Sequence, residues 1–352
     1  MSYDYGMAAI NLEMTDLVPR TEYSASMHWD LVNKVLGTHI TIDSEPVQKA
    51  LASAQFKKAW DYGMNWNVYT HINALNKCRT QMGHANFAAG GTDFNNKVYC
   101  PFEDPEDCID FNPMEVYGKL DHAQLVKEYN DNYHAKVAEN PTSVNMTGIY
   151  ISLVSGLIEI FGWDMMLMAM GIDEVGFGEV ATRYSEWITQ YFEALADSDA
   201  PVVMIHDDMV WTSGAFAKPA WYREYIFPNF KKQLAPLREA GKKIMFTCDG
   251  NFTEFIDDIA ACGVDGFVME PTTAMEQIAE KYGKTHSFVG NADTRILLNG
   301  TKDEIYAEVK RCMDIGKKCP GFFMAVGNHI PANTPVENAL FYNEVFEELR
   351  RR

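Results

Sequence analysis

The feature that most limits what this chain can fold into is an alternation in its second half. Five short apolar runs, PVVMIHDD (201–208), KKIMFTCDG (242–250), DGFVMEP (265–271), HSFVGNAD (286–293) and GFFMAVGNHI (321–330), each carry polar residues at their C-terminal ends. Helical patterns lie between them. Thr273-x-x-Glu276, Thr301-x-x-Glu304 and Thr334-x-x-Glu337 fit the capping box, in which each side chain satisfies the other's backbone donor. Pro335 stands where a first helical residue would be. Ile305, Val309, Cys312 and Met313 recur at helical spacing, so one face of that helix is expected to pack on a sheet. Strands that are apolar throughout, rather than alternating, are buried on both faces, which predicts a parallel sheet covered by helices.

SVNMTGIY (143–150) and the stretch near WNVYTHI (66–72) offer earlier strands. Eight strand–helix units closed on themselves make a TIM (β/α)8 barrel, with its active site at the C-terminal strand ends. No Gly-x-Gly-x-x-Gly opens a unit, so a dinucleotide-binding fold lacks its fingerprint. The irregular start gives an expected division into an N-terminal extension, 1–60, packed on a barrel of residues 61–352. FAAGGTDFNN (87–96) reads as loop, and PFEDPEDCIDFNP (101–113) is rich in proline and acid.

Charge narrows the partners. The net charge is −19 and Lys and Arg are nowhere clustered, which argues against nucleic acid and against an anionic membrane surface. A neutral or basic protein partner fits, and a homodimer stays open. Seven cysteines without a C-x-x-C suit a reducing compartment. With no signal-peptide pattern at the start, and no uninterrupted apolar run near the ~20 residues of a membrane helix, the expected location is cytoplasmic.

In such a barrel His206, Asp207, Asp208, Cys248, Asp249, Glu270, Asn291, Asp293, Asn328 and His329 all stand at strand ends. Cys248 and Glu270 are one strand–helix unit apart, and neighbouring strand ends lie about 5 Å from each other. With His329 from the last strand they could converge on zinc, which takes Cys, His and carboxylate ligands. The alternative, a packed thiol and a structural carboxylate, stays open. The adjacent carboxylates Asp207 and Asp208 repel unless a cation, donor or proton intervenes, which suits a general acid, a substrate contact or a pair of helix caps. His206, Asn291, Asp293 and Asn328 are candidate substrate contacts. Trp211 and Phe216 suit an aromatic pocket as well as a core, and sequence gives no place to His71 or His84.

HDDMVWTSGAF, WYREYIFPNFKK, KKIMFTCDGN, DGFVMEP and GNHIPANTPVENA follow one another as in the uroporphyrinogen decarboxylase-like superfamily. The resemblance covers roughly residues 100–352, and RTEYSASMHWDLVNKVLG is similar to the corrinoid-dependent methyltransferase branch. It implies a TIM barrel. The decarboxylase itself grips its acidic porphyrinogen with an arginine-bearing N-terminal motif, whereas Arg20 is the first arginine here and no other precedes residue 79. Thiol-methylating relatives hold zinc with His-x-Cys on one strand, a Glu one unit on and a Cys near the end. Those positions read Phe246, Cys248, Glu270 and Asn328 here, with His329 beside the last.

The resemblance therefore implies a methyltransferase that moves a methyl group from a methoxylated aromatic to cob(I)alamin carried by a separate corrinoid protein, in anaerobic O-demethylation. Glu270, Cys248 and His329 around zinc would activate the oxygen, and His206, Asp207 and Asp208 would supply acid or substrate contacts. Its alternatives are methyl transfer from a methylcorrinoid to a thiol or folate, a corrinoid-protein binding module without chemistry, and the decarboxylase.

Overall fold

The computed structural model describes residues 2–80, 87–88, 91–92 and 99–352. The strands are β1 (Met64–Asn65), the antiparallel pair β2 (Phe87–Ala88) and β3 (Gly91–Thr92), then β4 (Val144–Asn145), β5 (Thr147–Ile149) and β6 (Val202–His206). They continue as β7 (Lys243–Cys248), β8 (Gly266–Met269), β9 (Ser287–Ala292) and β10 (Phe322–Val326). Strands β5 to β10 form a parallel sheet in sequence order, and β1 pairs in parallel with β4. The five apolar runs of the second half are all strands, as expected. Alternate residues serve two cores, because successive side chains leave a strand on opposite faces. Val202, Met204, Met245, Val268, Val289, Phe323 and Ala325 pack against one another inside the sheet. Val203, Ile205, Ile244, Phe246, Phe267, Phe288 and Phe322 pack outward under the helices.

The ring of strands is completed from the N-terminal residues. Arg20 bridges in parallel to Met324 of β10 on one side and to Tyr62 on the other, through Thr21 N to Met324 O (3.1 Å) and Gly63 N to Arg20 O (2.9 Å). Further along, Thr70 bridges to Ile149 of β5. Hydrogen bonding thus passes from β10 through the Arg20 segment and the 62–70 segment to β4 and β5, then through β6 to β9 and back to β10. This is the (β/α)8 barrel arrangement expected from sequence. The stretch around Arg20, placed by sequence in an extension, lies between two of its strands. Ahead of it, the helix Ser2–Ile10 lays Ala9 and Ile10 onto the inner core beside Met64 and Val144. A side chain at Gly6 would lie 2.0 Å from the Gly63 carbonyl, so glycine permits that close approach.

Two helix starts differ from the sequence expectation. Thr301 and Glu304 form their capping box, and Ile305, Val309, Cys312 and Met313 are buried on its helix. Thr273 instead accepts from Phe252 N (3.1 Å) and donates to Gly250 O (3.0 Å), and its helix begins at Met275. The last helix begins at Val336 with Pro335 just outside it and no side-chain cap. The 101–113 stretch contains the short helix Pro105–Ile109 and leads into another, Pro113–Tyr117. Helix Val154–Ile172 is long and apolar enough to cross a membrane, but it is broken at Gly162 (φ 74°) and Leu157, Ile158 and Phe161 are packed in the core.

Candidate active site

The C-terminal ends of the strands surround a cavity of about 1150 Å³. Strand parity decides which polar residues reach it. His206 stands level with Thr247 across the β6–β7 pair, on the inward row that Met204 and Met245 begin. Continuing that row brings His206, Asp208, Asp249 and Glu270 to the cavity, where all four line it. His206 Nε2 and Asp208 Oδ1 are 2.8 Å apart, and both side chains are nearly buried. Asp208 Oδ1 also accepts from Asp249 N (2.9 Å), and Ser155 Oγ accepts from Asp208 N (2.8 Å). Glu270 holds the adjoining loop by accepting from Gly250 N (2.8 Å), and its other oxygen accepts from Asn328 Nδ2 (2.5 Å).

Cys248 is not in this group. It lies on the opposite row, level with Met269, in the outer core with Phe246 and Ile244. Its thiol is 1% exposed and donates to the Asp249 carbonyl (3.2 Å), and burial pushes its pKa well up, which disfavours a thiolate. The structure therefore does not bring Cys248 together with Glu270 and His329. Shifting the His-x-Cys correspondence by one residue puts Thr247 and Asp249 on the inward row. Changing Cys248 to Ala should leave ligand and metal binding at the cavity unchanged, because only packing is altered; a metal titration on purified C248A checks this.

Asp207 also faces away. It is fully buried and accepts from Ser155 N (2.7 Å) in the first turn of the helix Val154–Ile172, so it anchors that helix instead of lining the cavity. Burial raises its pKa to about 6. Asn291 is committed to structure as well, donating to Glu270 O (3.1 Å) and Thr273 O (3.2 Å) and accepting from Arg311 (2.9 Å). Asp293 lines the cavity but caps the helix Thr294–Asn299 and pairs with Arg295 (2.6 Å), whose hydrogen bonds hold its pKa down. Asn328 and His329 line the cavity, and burial followed by the charge of His206 lowers the pKa of His329.

Sequence gave no sign of several neighbours. Tyr150 lines the cavity with its ring 4.2 Å from that of His206 and its hydroxyl 3.5 Å from Asp208 Oδ2. Burial, then the charges of Asp208 and Asp249, push its pKa up, so it keeps its proton. His71 also stacks on Tyr150, with ring centroids 4.5 Å apart. His84 lies outside the described residues, as does most of the 87–96 stretch. Tyr23, stacked on Trp66 at 4.9 Å, sits near His329 (6.0 Å), and burial followed by the Asp249 charge raises its pKa well above the usual phenol range. Trp163 also lines the cavity.

One imidazole and two carboxylates are gathered closely enough to hold a metal. Donor atoms of His206, Asp208 and Asp249 all lie within 4.8 Å of one another. That set is hard, with N and O donors and no sulfur, and zinc and other divalent ions accept it. Among the described lining residues, Arg295 is the lone Arg or Lys, against Asp208, Asp249, Glu270 and Asp293.

Comparison with known proteins agrees with the fold. The family model for uroporphyrinogen decarboxylase (URO-D) matches residues 138–349, so the chain belongs to the URO-D family. It is 27% identical over 171 residues to a uroporphyrinogen decarboxylase from Carboxydothermus hydrogenoformans, covering 49% of this chain and 47% of that one. It is 29% identical over 156 residues to the same-named protein from Azoarcus sp., covering 43% and 42%. The chain thus spans about half the length of the curated relatives it matches. A solved methyltransferase from Methanosarcina mazei shares the fold over nearly the whole length, with 99% of this chain and 98% of that one covered, TM-score 0.64 and 18% identity.

Proposed function

We propose that the protein is a corrinoid-dependent methyltransferase that moves a methyl group from a methoxylated aromatic compound to the cob(I)alamin of a separate corrinoid protein. The observation that carries this reading is the composition of the cavity: a hard His206–Asp208–Asp249 donor set beside aromatic side chains, with acids outnumbering cations. Four carboxylates around one arginine, itself paired with Asp293, would repel a porphyrinogen rich in carboxylates, so decarboxylation fits the cavity poorly. The solved methyltransferase of the same fold adds support.

In the reaction the methyl–oxygen bond breaks and its electron pair stays on the aryloxide. A new carbon–cobalt bond uses the electron pair of cob(I)alamin, and the aryloxide leaves as a phenol after taking up one proton. His206, Asp208 and Asp249 would hold a divalent ion, which supplies Lewis-acid stabilisation of the departing oxygen. Tyr150, kept protonated beside Asp208, can donate a hydrogen bond to that oxygen. Glu270 and Asn328 fix the Asp249–Asn251 loop, so that Asp249 stays aimed at the cavity.

Titrating metal-stripped protein with zinc and with cobalt(II) tests the donor set. Wild type should take up one equivalent, with a cobalt spectrum free of thiolate charge-transfer bands. The variants His206→Ala and Asp249→Ala should each weaken binding by about a hundredfold or more. Full binding by both variants would remove these residues from the site.

A further inference from the structure

Two tryptophans stand at the rim of the cavity, each fixed by backbone geometry that its own side chain does not require. Trp211 is 41% exposed, an unfavourable state for so large an apolar group. Its backbone is nevertheless held on both sides: Trp211 N donates to Gly214 O (2.8 Å) and Gly214 N returns the bond to Trp211 O (2.9 Å). The same carbonyl accepts from Asn251 N (2.9 Å), which ties the turn to the loop carrying Asp249. Glycine is needed at 250, where φ is +88° and a side-chain carbon would lie 2.7 Å from the Trp211 carbonyl. Trp163 arrives from another direction. Gly162, at φ 74°, breaks the helix Val154–Ile172 one residue before it. The two indoles meet at 5.4 Å, and Phe216 backs both, 5.3 Å from Trp163 and 6.1 Å from Trp211.

We propose that Trp163 and Trp211 form the subsite that takes the aryl ring of the methyl donor, so that the protein selects aromatic methyl ethers over aliphatic ones. The inference rests on the methyl-transfer reading for its consequence, while the binding itself stands on the geometry. Both indoles line the same cavity as His206, Asp208 and Asp249, so a ring held against them lies in the space that the donor set faces. Flat aromatic faces in offset or tilted packing attract a further ring, and an indole already fixed in place loses little freedom on binding.

The test is equilibrium dialysis of 2-methoxyphenol against the full chain without corrinoid, with tetramethylammonium as a competing probe of a cation-binding aromatic site. Wild type should bind 2-methoxyphenol saturably and tetramethylammonium weakly. Trp211→Ala should weaken the aromatic ligand about ten- to a hundredfold, the range for losing one stacking partner. Trp163→Phe and Trp211→Phe, which keep a ring and the fold, should cost far less. In turnover, Trp211→Ala should raise KM for aryl ethers and leave kcat nearly unchanged. Preference for tetramethylammonium, or unchanged aromatic affinity in folded Trp211→Ala, overturns the subsite. Normal aromatic binding with no methyl reaching cob(I)alamin would instead sink the reaction and leave the subsite standing.

Discussion

Replacing Asp208 with asparagine should lower methyl transfer to cob(I)alamin by about 10²–10⁴-fold, the range for removing a positioned charged group from a reacting centre. Asp208 joins the site's parts. One of its oxygens lies 2.8 Å from His206 Nε2 and accepts from Asp249 N, and the other is 3.5 Å from the Tyr150 hydroxyl. Asparagine keeps the shape but withdraws the charge and turns one end into a donor aimed at groups that also donate. The loss should fall on kcat as well as on metal affinity. Asp207→Asn, one residue away but pointing into the first turn of a helix, should change stability more than turnover. Single-turnover spectra of the corrinoid with each variant, alongside urea midpoints, separate the two effects. Equal loss of turnover in both variants would contradict the assignment of Asp208 to the cavity and Asp207 to the fold.

The largest expected effect on stability lies in the barrel wall around Arg20. Arg20 and Glu22 are both fully enclosed, paired at 2.9 Å. Glu22 also accepts from Val326 N (3.0 Å) and the Tyr342 hydroxyl (2.7 Å), and Arg20 lies over the rings of Trp60 (4.4 Å) and Phe346 (4.7 Å). Glu22→Gln keeps most of the hydrogen-bonding shape but leaves a buried guanidinium without its counter-charge. Breaking one partner of a buried pair costs about 3–5 kcal/mol. Because the Arg20 segment bridges β10 and Tyr62, the variant should also loosen the return of the barrel onto β10, seen as faster amide exchange at Met324. A loss under about 1 kcal/mol would mean that the pair is dispensable.

The sequence made the second half of the barrel legible because each of its strands is a continuous apolar run ended by polar residues. It could not decide the row on which each polar residue sits. KKIMFTCDG is apolar on both faces, so nothing in its pattern marks Cys248 as outward and Asp249 as inward; only pairing with β6 and β8 fixes that parity. Asp207 and Asp208 illustrate the same limit, two adjacent carboxylates of which one anchors a helix and the other faces the cavity. The Arg20 rung escaped notice because it joins the ring through isolated bridges, too short to leave a strand pattern. Thr273-x-x-Glu276 matched a capping box, yet the threonine is used to hold the Gly250 loop, a tertiary demand that overrides a local signal. Trp163 carried no signal at all, since its position follows from the break at Gly162 inside an apolar helix.

Methyl transfer is expected at the His206–Asp208–Asp249 end of the barrel. To check this, metal-loaded protein is mixed anaerobically with 2-methoxyphenol and free cob(I)alamin, which stands in for the partner's corrinoid. The cob(I)alamin spectrum should convert to that of methylcobalamin, with one catechol released per methyl group moved, and should not convert with Asp208→Asn. No methylcobalamin from any aryl ether, together with decarboxylation of uroporphyrinogen by the same preparation, would contradict it.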